Sequence, residues 1–439
     1  MLLSISSELL PVSIFSGIPF LLMLACIAIL PLLFNHFWEK NSNKLIVAGI
    51  LSIPIIIYLS MSGNFGKLYE TMVFDYVPFI ILLGSLFIIT GGIYIDGDIE
   101  AKPLVNTSYL AIGAVLASFI GTTGAAMLLI RPIISTNSER KYKVHTILFF
   151  IGIVANCGGL MTPLGDPPLF VLYLRGAPFF WFFNLASTWL FVNAILLTIY
   201  FIVDSYYHRK EPKENLVFDH SNIKPIAIKG KINFIWLIGV VCSVAFINEQ
   251  YFPFIKTNEY LKFLREIFIV LFALASLKIT VKTVRISNNF SWVPIVEVAF
   301  LFLGIFITMV PCIIYLELNA SSLGVTSPMQ FYFASGFLSS FLDNTPTAVT
   351  FHSLAVGLQS ASSVTTNLVA GIPLSLLKAI SIASVLFGSM TYIGNGPNFM
   401  VKSIAEENGI IMPHFFRYIY GFSLLVLLPV FVLVYFIFV

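Results

Sequence analysis

Charged side chains are scarce in this sequence. Asp, Glu, Lys and Arg make up only 10% of its 439 residues, against about 25% in a typical soluble domain. Hydrophobic side chains make up 58%, with 43 Phe among them, and the mean hydropathy is +0.94. A chain with so few charges has too little polar surface to cover its apolar residues in water. The composition therefore predicts an integral membrane protein embedded in a lipid bilayer.

Several other features are missing, and each absence excludes a class of function. The four cysteines lie in or beside apolar runs without close spacing, so we interpret them as packing residues and expect neither disulfides nor a metal cluster. A net charge of +3 is too small to indicate nucleic-acid binding. No His/Glu metal motif or Ser/His/Asp constellation is present, which argues against an enzyme, and no cofactor is expected. The first 30 residues lack a basic leader, which favours a retained first span over a signal peptide.

Apolar runs of about 20 residues, the length needed to cross a bilayer, recur along the chain. Two stretches, 143–175 and 367–403, are longer than one span and carry Gly and Pro, so each is predicted to be one broken transmembrane helix. Two more, 107–134 and 328–356, are apolar on both sides of a polar centre, which predicts re-entrant hairpins. Eight simple runs complete a predicted set of ten crossings: 11–34, 44–61, 74–95, 179–203, 232–250, 262–281, 293–316 and 413–438.

The two halves of the chain resemble each other at these interrupted stretches. At an offset of 222 residues, Ser118–Ala126 aligns with Ser340–Ala348 and keeps Ser, Phe, Thr and Ala. At an offset of 229, Gly159–Phe170 aligns with Gly388–Phe399 and keeps Gly, Met, Thr, Pro and Phe. Interruptions at matching places in two halves indicate the binding site of a membrane transporter, because only non-helical backbone offers free N–H and C=O groups there.

The fold class predicted from this pattern is an all-α polytopic membrane protein made of two repeats, residues 1–203 and 232–439, joined by a linker at 204–231. Each half has five crossings, an odd number, so the second half enters from the opposite face and the repeats are inverted. With the N-terminus outside, 17 of the 24 Lys and Arg residues fall on the cytoplasmic side. We expect both termini outside, the linker in the cytoplasm, and a bacterial-type inner membrane.

Asp166 and Asp343 are the acids that this topology places deepest in the membrane, one in each half. An ionised acid at that depth costs about 3 kcal/mol or more unless it is paired, hydrated or protonated, so such a residue indicates function. Basic partners are not expected, because Lys378 and Arg131 lie far enough along their helices to reach an interface. A negative midplane without a basic counter-charge favours a cation, either a proton or Na⁺.

Neutral oxygen atoms beside the two acids suit such a cation. The turns at Gly165 and Gly394 can expose carbonyl groups, and Thr162 and Thr391 add hydroxyl groups. The predicted Na⁺ ligands are Asp166, Thr122, Thr123, Asn344, Thr345 and Asn395.

Glu297 lies about one turn into its span and is a candidate proton relay at the cytoplasmic mouth. A solvated or Lys-paired acid is the alternative interpretation, since the position is near an interface.

The hairpin string Asp343 to Pro346 and the break from Thr162 to Asp166 resemble the ion transporter superfamily, in the branch of arsenite permeases and NhaD-type sodium/proton antiporters that shares a citrate-transporter-like domain. The resemblance covers nearly the whole chain. It implies an inverted-repeat fold, a homodimer and an elevator-like displacement. It also implies that Asp166 is the acid of the first broken helix, that Asp343 and Asn344 form the pair of the second hairpin, and that Asn395 is the polar residue of the second break.

One departure from the family pattern keeps two functions open. Antiporters of this type have an acid and an amide at the first hairpin tip, where this chain has Gly121, Thr122 and Thr123. Such hydroxyl groups resemble the tips of sodium-coupled dicarboxylate carriers. The primary hypothesis is therefore a secondary active antiporter of Na⁺ or Li⁺ against H⁺, and the alternative is a Na⁺- or H⁺-coupled symporter of a small organic or inorganic anion. A channel is a third class of function. Flux that couples to a second ion gradient would exclude a channel.

Overall fold

The computed structural model describes residues 9–221, 223–361 and 367–439, and helices dominate it. This confirms the predicted all-α polytopic class. The predicted placement of the N-terminus falls on residues 1–8, which lie outside the described residues. Helices form because long apolar runs satisfy their backbone groups internally. The inverted order of the two halves stays a prediction.

The first half of the chain and the linker consist mainly of helices. Proline stands in the first two positions of several of them, where its missing N–H costs nothing. They are α1 (Ile18–Leu33), α2 (Asn35–Trp38), α3 (Asn41–Met61), α4 (Phe65–Glu70), α5 (Val77–Thr90), α6 (Pro103–Ile120), α7 (Thr122–Thr136), α8 (Val144–Ile153), α9 (Pro167–Leu174), α10 (Ala186–Arg209) and α11 (Lys213–Ser221).

The helices of the second half repeat the sequence of long spans, hairpin and broken helix. They are α12 (Asn233–Phe246), α13 (Phe263–Ile279), α14 (Lys282–Ser287), α15 (Val293–Asn319), α16 (Pro328–Phe341), α17 (Asn344–Ser360), α18 (Leu374–Phe387), α19 (Gly396–Glu407), α20 (Phe415–Tyr418) and α21 (Leu428–Phe438). Two π-helical segments, Thr71–Tyr76 and Ile419–Leu427, continue α4 into α5 and α20 into α21.

Short 3₁₀ segments lie mainly at helix ends and at the breaks. They are Ile14–Gly17, Cys157–Met161, Phe179–Leu185, Pro253–Thr257, Glu259–Lys262, Ala320–Leu323 and Gly388–Met390.

Eight helical segments of the described chain are long and apolar enough to cross a membrane. Six of them coincide with predicted simple crossings, and two, Pro103–Ile120 and Val144–Met161, belong to the predicted hairpin and broken helix. The predicted crossing at 232–250 contains a helix of only 14 residues, and the one at 262–281 a helix of 17. At 1.5 Å per residue these span roughly 21 and 26 Å, short of the ~30 Å hydrocarbon core. Each predicted crossing is longer than the helix within it, because polar turns such as Asn248 to Gln250 end the helix.

The segment predicted to be the linker contains secondary structure of its own. It contains α11 and the strand β2 (Lys224–Lys229), which pairs antiparallel with β1 (Tyr94–Asp98) from the first half. The Lys229 ammonium lies 2.7 Å from the Asp96 carboxylate across this ribbon. A second short ribbon joins β3 (Leu368–Val369) and β4 (Ile372–Pro373). The linker is therefore fastened to the loop between α5 and α6.

A buried ionic cluster anchors the base of the first hairpin. Arg140, which follows α7, lies 2.6 Å from Asp204 of α10 and 3.6 Å from Glu211, and its side chain is 1% exposed. His145 of α8 lies 2.8 Å from the same Asp204 carboxylate, and the Asn106 amide of α6 donates to it at 3.2 Å. Four elements therefore meet at one pair of opposite charges.

Neutralising Asp204 should destabilise the fold, because Asp204→Asn removes the nearer counter-charge of the buried Arg140 guanidinium and leaves only the Glu211 carboxylate at 3.6 Å. Loss of one partner of a buried ion pair costs about 3–5 kcal/mol. We expect a clear fall in the thermal unfolding temperature in detergent. The exposed Asp96→Asn removes the same charge and should leave that temperature unchanged; equal effects of the two variants would contradict the role of the cluster.

Candidate functional site

The first break is fastened to the tip of the first hairpin. The backbone N–H of Thr122 donates to the Gly165 carbonyl at 2.8 Å. The Ser118 hydroxyl donates to the Gly158 carbonyl at 2.5 Å, and the Thr162 hydroxyl donates to the Ser118 carbonyl. The non-helical backbone between α8 and α9 therefore stays in place although no helix ladder holds it.

The second break is fastened in the same way. The Thr391 hydroxyl donates to the Ser340 carbonyl at 2.5 Å and accepts from the Gly394 N–H at 3.1 Å. The Ser339 hydroxyl donates to the Ser384 carbonyl at 2.7 Å. The contact between Thr391 and Ser340 joins the residues that the two offsets equate with Thr162 and Ser118.

Thr162 and Thr391, which are predicted to supply hydroxyl oxygens to an ion, also take part in the turns. Each hydroxyl proton is committed to a main-chain carbonyl of a hairpin, which fixes the turn. The Gly165 carbonyl accepts one hydrogen bond, from the Thr122 N–H, and keeps its second lone pair. Gly394 likewise lies packed into its turn: a Cβ placed there would lie 2.6 Å from the Gly388 carbonyl oxygen. These four residues shape the site.

The Asp166 carboxylate is the centre at which the two halves meet. It is 1% exposed. Its Oδ1 accepts from the Thr122 hydroxyl at 2.7 Å and from the Asn395 amide at 3.2 Å, and its Oδ2 accepts from the Asn344 amide. The offsets equate Thr122 with Asn344 and Asp166 with Asn395, so two matched pairs converge on one acid.

Four helix N-termini point at this acid. Asp166 is the N-cap of α9 and Asn395 the N-cap of α19, while Thr122 and Asn344 are the first residues of α7 and α17. A helix N-terminus carries roughly half a positive charge, which stabilises a nearby anion. The convergence therefore offsets part of the cost of burying the carboxylate.

The donors around Asp166 are all neutral. No Lys, Arg or His of the described chain forms an ion pair with it. The Oδ1 atom of Asn344 is buried without a hydrogen-bond partner among the described residues. Since an amide presents either its nitrogen or its oxygen on rotation, Asn344 can serve as a donor to the carboxylate or as an oxygen ligand to a cation beside it.

Asp343 takes a different position from the one predicted. Its Oδ1 accepts from the backbone N–H of Thr345 at 3.0 Å, so it caps α17. It is half-buried, and none of its hydrogen bonds reaches Asp166. Asp343 and Thr345 thus flank the cluster, and Asp166 is the acid in contact with it. The carboxyl group of Asp343 is drawn to its own helix because Asp is a favoured N-cap.

Thr123 lines a small cavity next to the cluster. The cavity has a volume of about 60 Å³ and lies between the first hairpin tip, the first break, α5 and α15. Its remaining walls are mainly apolar, including Leu86, Phe87, Ile295 and Val298. Small-molecule sites have volumes of roughly 300 Å³ or more, so this cavity has room for a few water molecules or a small cation.

Two asparagines that are not among the predicted ion ligands connect the breaks. The Asn156 side chain accepts from the Asn395 amide at 3.1 Å and donates to Asn398 Oδ1 at 2.7 Å. Asn398 in turn donates to the Gly388 and Thr391 carbonyls at 2.8 and 2.9 Å. The sequence signal for them is an amide side chain beside each interrupted stretch. Both amides are fully buried, and a buried amide needs hydrogen-bond partners.

Glu297 has the Lys-paired environment of the alternative interpretation. Its Oε1 lies 2.8 Å from the Lys44 ammonium of α3, which is 3% exposed. Neither its hydrogen bonds nor its ion pair connects it with the residues around Asp166. This pair packs α3 against α15, and a relay role for Glu297 stays a prediction.

One known protein family matches nearly the whole chain. A protein-family model described as "Putative citrate transport" matches residues 9–439. A search of curated proteins found no match.

Alanine at Gly165 should disturb the site, because its Cβ would lie 2.1 Å from the Gly159 carbonyl oxygen. The break must then open, which displaces Asp166. Gly396→Ala is the matched control in the other break, since nothing lies within 4 Å of a Cβ there. We expect Gly165→Ala to fold with a lowered unfolding temperature and to lose transport, and Gly396→Ala to keep both. Wild-type behaviour of Gly165→Ala would disprove the close packing.

Proposed function

Since the chain belongs to this citrate-transport family and is an integral membrane protein, we propose that it is a secondary active transporter that exchanges Na⁺ or Li⁺ for H⁺ at Asp166. The observation that carries the proposal is the buried Asp166 carboxylate surrounded only by neutral donors. A single acid with neutral neighbours can bind a proton or a small cation, but not both, and this competition is the basis of exchange.

Sodium fits this donor set by its chemistry. Hard cations prefer carboxylate, amide, hydroxyl and carbonyl oxygens. Asp166 supplies the negative charge, and Thr122 and Asn344 supply neutral oxygen atoms beside it. The cavity at Thr123 supports a route for a hydrated ion or a proton to reach the carboxylate from the α5 and α15 side.

A second candidate is symport of a citrate-type anion with Na⁺ or H⁺. Two observations favour it: the description of the family, and the four helix N-termini that converge on the site. Helix N-termini bind anions without a basic side chain. In this case the cation at Asp166 drives uptake, and a larger space for the anion opens in another conformation, since the 60 Å³ cavity is too small for it.

The placement in the membrane belongs to the same proposal. Both termini lie outside and the linker lies in the cytoplasm of a bacterial-type inner membrane, as the distribution of Lys and Arg supports. The first hairpin then faces the cytoplasm and the second faces outward. The two hairpins and two breaks, joined through Asp166, move as one body against the long spans, and two copies form a homodimer.

Proton movement in proteoliposomes tests the primary function. Addition of Na⁺ or Li⁺ outside should make the interior of vesicles with wild-type protein more alkaline, because cation entry drives protons out, whereas K⁺ should not. Asp166→Asn should abolish the response, because an amide neither releases a proton nor balances a cation. Asp96→Asn, an exposed acid-to-amide change, should respond like the wild type. No response from folded wild-type protein excludes exchange.

Uptake of radiolabelled citrate separates the two candidates. An exchanger should accumulate no citrate under an imposed Na⁺ or H⁺ gradient. A symporter should accumulate it only with the gradient, and Thr122→Val should raise the cation concentration for half-maximal uptake roughly tenfold, because one hydrogen bond to the carboxylate is lost. The control variant is Thr198→Val, which removes an exposed hydroxyl group on α10 by the same substitution. Absence of both activities would reject secondary transport of these ions.

A further inference from the structure

Helices α9 and α17 lie side by side and meet at both of their ends. At one end, Asp166 contacts Asn344. At the other, Arg175, the C-cap of α9, donates from Nη1 to the Ser353 hydroxyl oxygen at 3.0 Å. Arg175 comes nine residues after Asp166, and Ser353 nine after Asn344. The two helices are therefore parallel and in register, and the two contacts are about 14 Å apart along them.

Arg175 also reaches a third helix. Its Nη2 lies 3.1 Å from Asp75 Oδ2, and the two side chains are only 12% and 13% exposed. Asp75 belongs to the π-helical segment Thr71–Tyr76 between α4 and α5. The wider π turn inserts an extra residue and redirects the side chains of an otherwise continuous helix, and such segments occur often at functional sites. Arg175 therefore connects the α9 and α17 pair to the long helical segment that passes it.

The guanidinium has little freedom to leave this position. The backbone N–H of Arg175 donates to the Val171 carbonyl at 3.0 Å, and Gly176, with φ of +105°, turns the chain directly after it. The Nε atom is buried without a partner among the described residues, so the two Nη atoms carry its contacts to Ser353 and Asp75. A positive charge at the C-terminal end of α9 is also favoured by the helix dipole.

We propose that Arg175 is a positioning residue for the cation site. It holds α9 and α17 in register from their far ends, and its ion pair with Asp75 fastens both helices to the α4 and α5 segment. Without Arg175 the helices slide against each other, and the Asp166 carboxylate and the Asn344 amide no longer meet in one fixed geometry. The inference rests on the proposed binding of a cation at Asp166, although Arg175 itself touches no cation.

Sodium-dependent thermal stabilisation tests the effect on binding. A ligand that binds only the folded protein raises its stability with concentration. In Arg175→Met the Na⁺ concentration for half of the effect should rise roughly tenfold, the loss expected for charge-assisted hydrogen bonds. Arg175→Lys should give an intermediate value, because an ammonium keeps the charge but lacks the fork that reaches both partners. The double variant Asp75→Arg with Arg175→Asp should recover part of the affinity.

The control and the contrary result are clear. Arg417→Met removes an exposed arginine of α20 and should leave the Na⁺ dependence unchanged. Wild-type Na⁺ dependence in folded Arg175→Met would overturn the proposal.

A distance measurement tests the register without using transport or binding. Spin labels at Pro178→Cys and Ser360→Cys, both exposed in the structure, report the position of the α9 end relative to the α17 end. In a Cys242→Ser background, which removes the exposed native thiol, the distance distribution should be narrow with Arg175 present and broad in Arg175→Met. An unchanged distribution would overturn the positioning role. Broadening together with a wild-type protein that shows no Na⁺ effect would instead reject the proposed cation binding at Asp166 and leave the positioning role standing.

Discussion

The burial of one carboxylate determines the arrangement of everything around it. Asp166 is enclosed in a membrane protein without a basic partner among the described residues, and an ion in that position needs hydrogen bonds or a cation. The bonds come from the side chains of Thr122, Asn344 and Asn395, each of which stands at the beginning of a helix. Two hairpin tips and two helix breaks solve the problem by bringing four helix beginnings to one point. The hydroxyl contacts of Thr162 and Thr391 then hold the broken backbone in that shape.

The sequence predicted the participants of this cluster through its internal repeat. The two offsets equated Thr122 with Asn344 and Asp166 with Asn395, and these four side chains do meet. The same offsets place Gly121 opposite Asp343, and Asp343 proves to be a helix cap. Repeat matching finds which positions are equivalent, but it does not tell whether a polar side chain turns to the partner half or to its own backbone. That choice depends on helix-end geometry, which a pattern of residues does not contain.

Other parts of the structure could not be predicted from the internal repeat or from hydropathy. Asn156 and Asn398 connect the two breaks, yet their equivalents in the opposite halves are Val385 and Leu169, so the repeat does not mark them. The pairing of β2 with β1 joins segments about 130 residues apart, and strands of five and six residues are too short to predict it. Apolar composition also overestimated the lengths of α12 and α13, because hydropathy shows where lipid is tolerated and not where a helix ends.

The presence of one acid in the cluster, where the second half supplies the amide of Asn395, has an electrical consequence. An empty site carries a single negative charge, and a site loaded with one monovalent cation or one proton carries none. A membrane potential acts on a displaced charge with about 2.3 kcal/mol per 100 mV. In the proposed exchange the site is loaded in both directions, with the cation one way and the proton the other, so neither passage of the body that holds Asp166 moves net charge across the bilayer. The substitution of an amide for an acid between two otherwise similar halves thus leaves the proposed exchange to be driven by the two ion gradients and not by a cell's voltage.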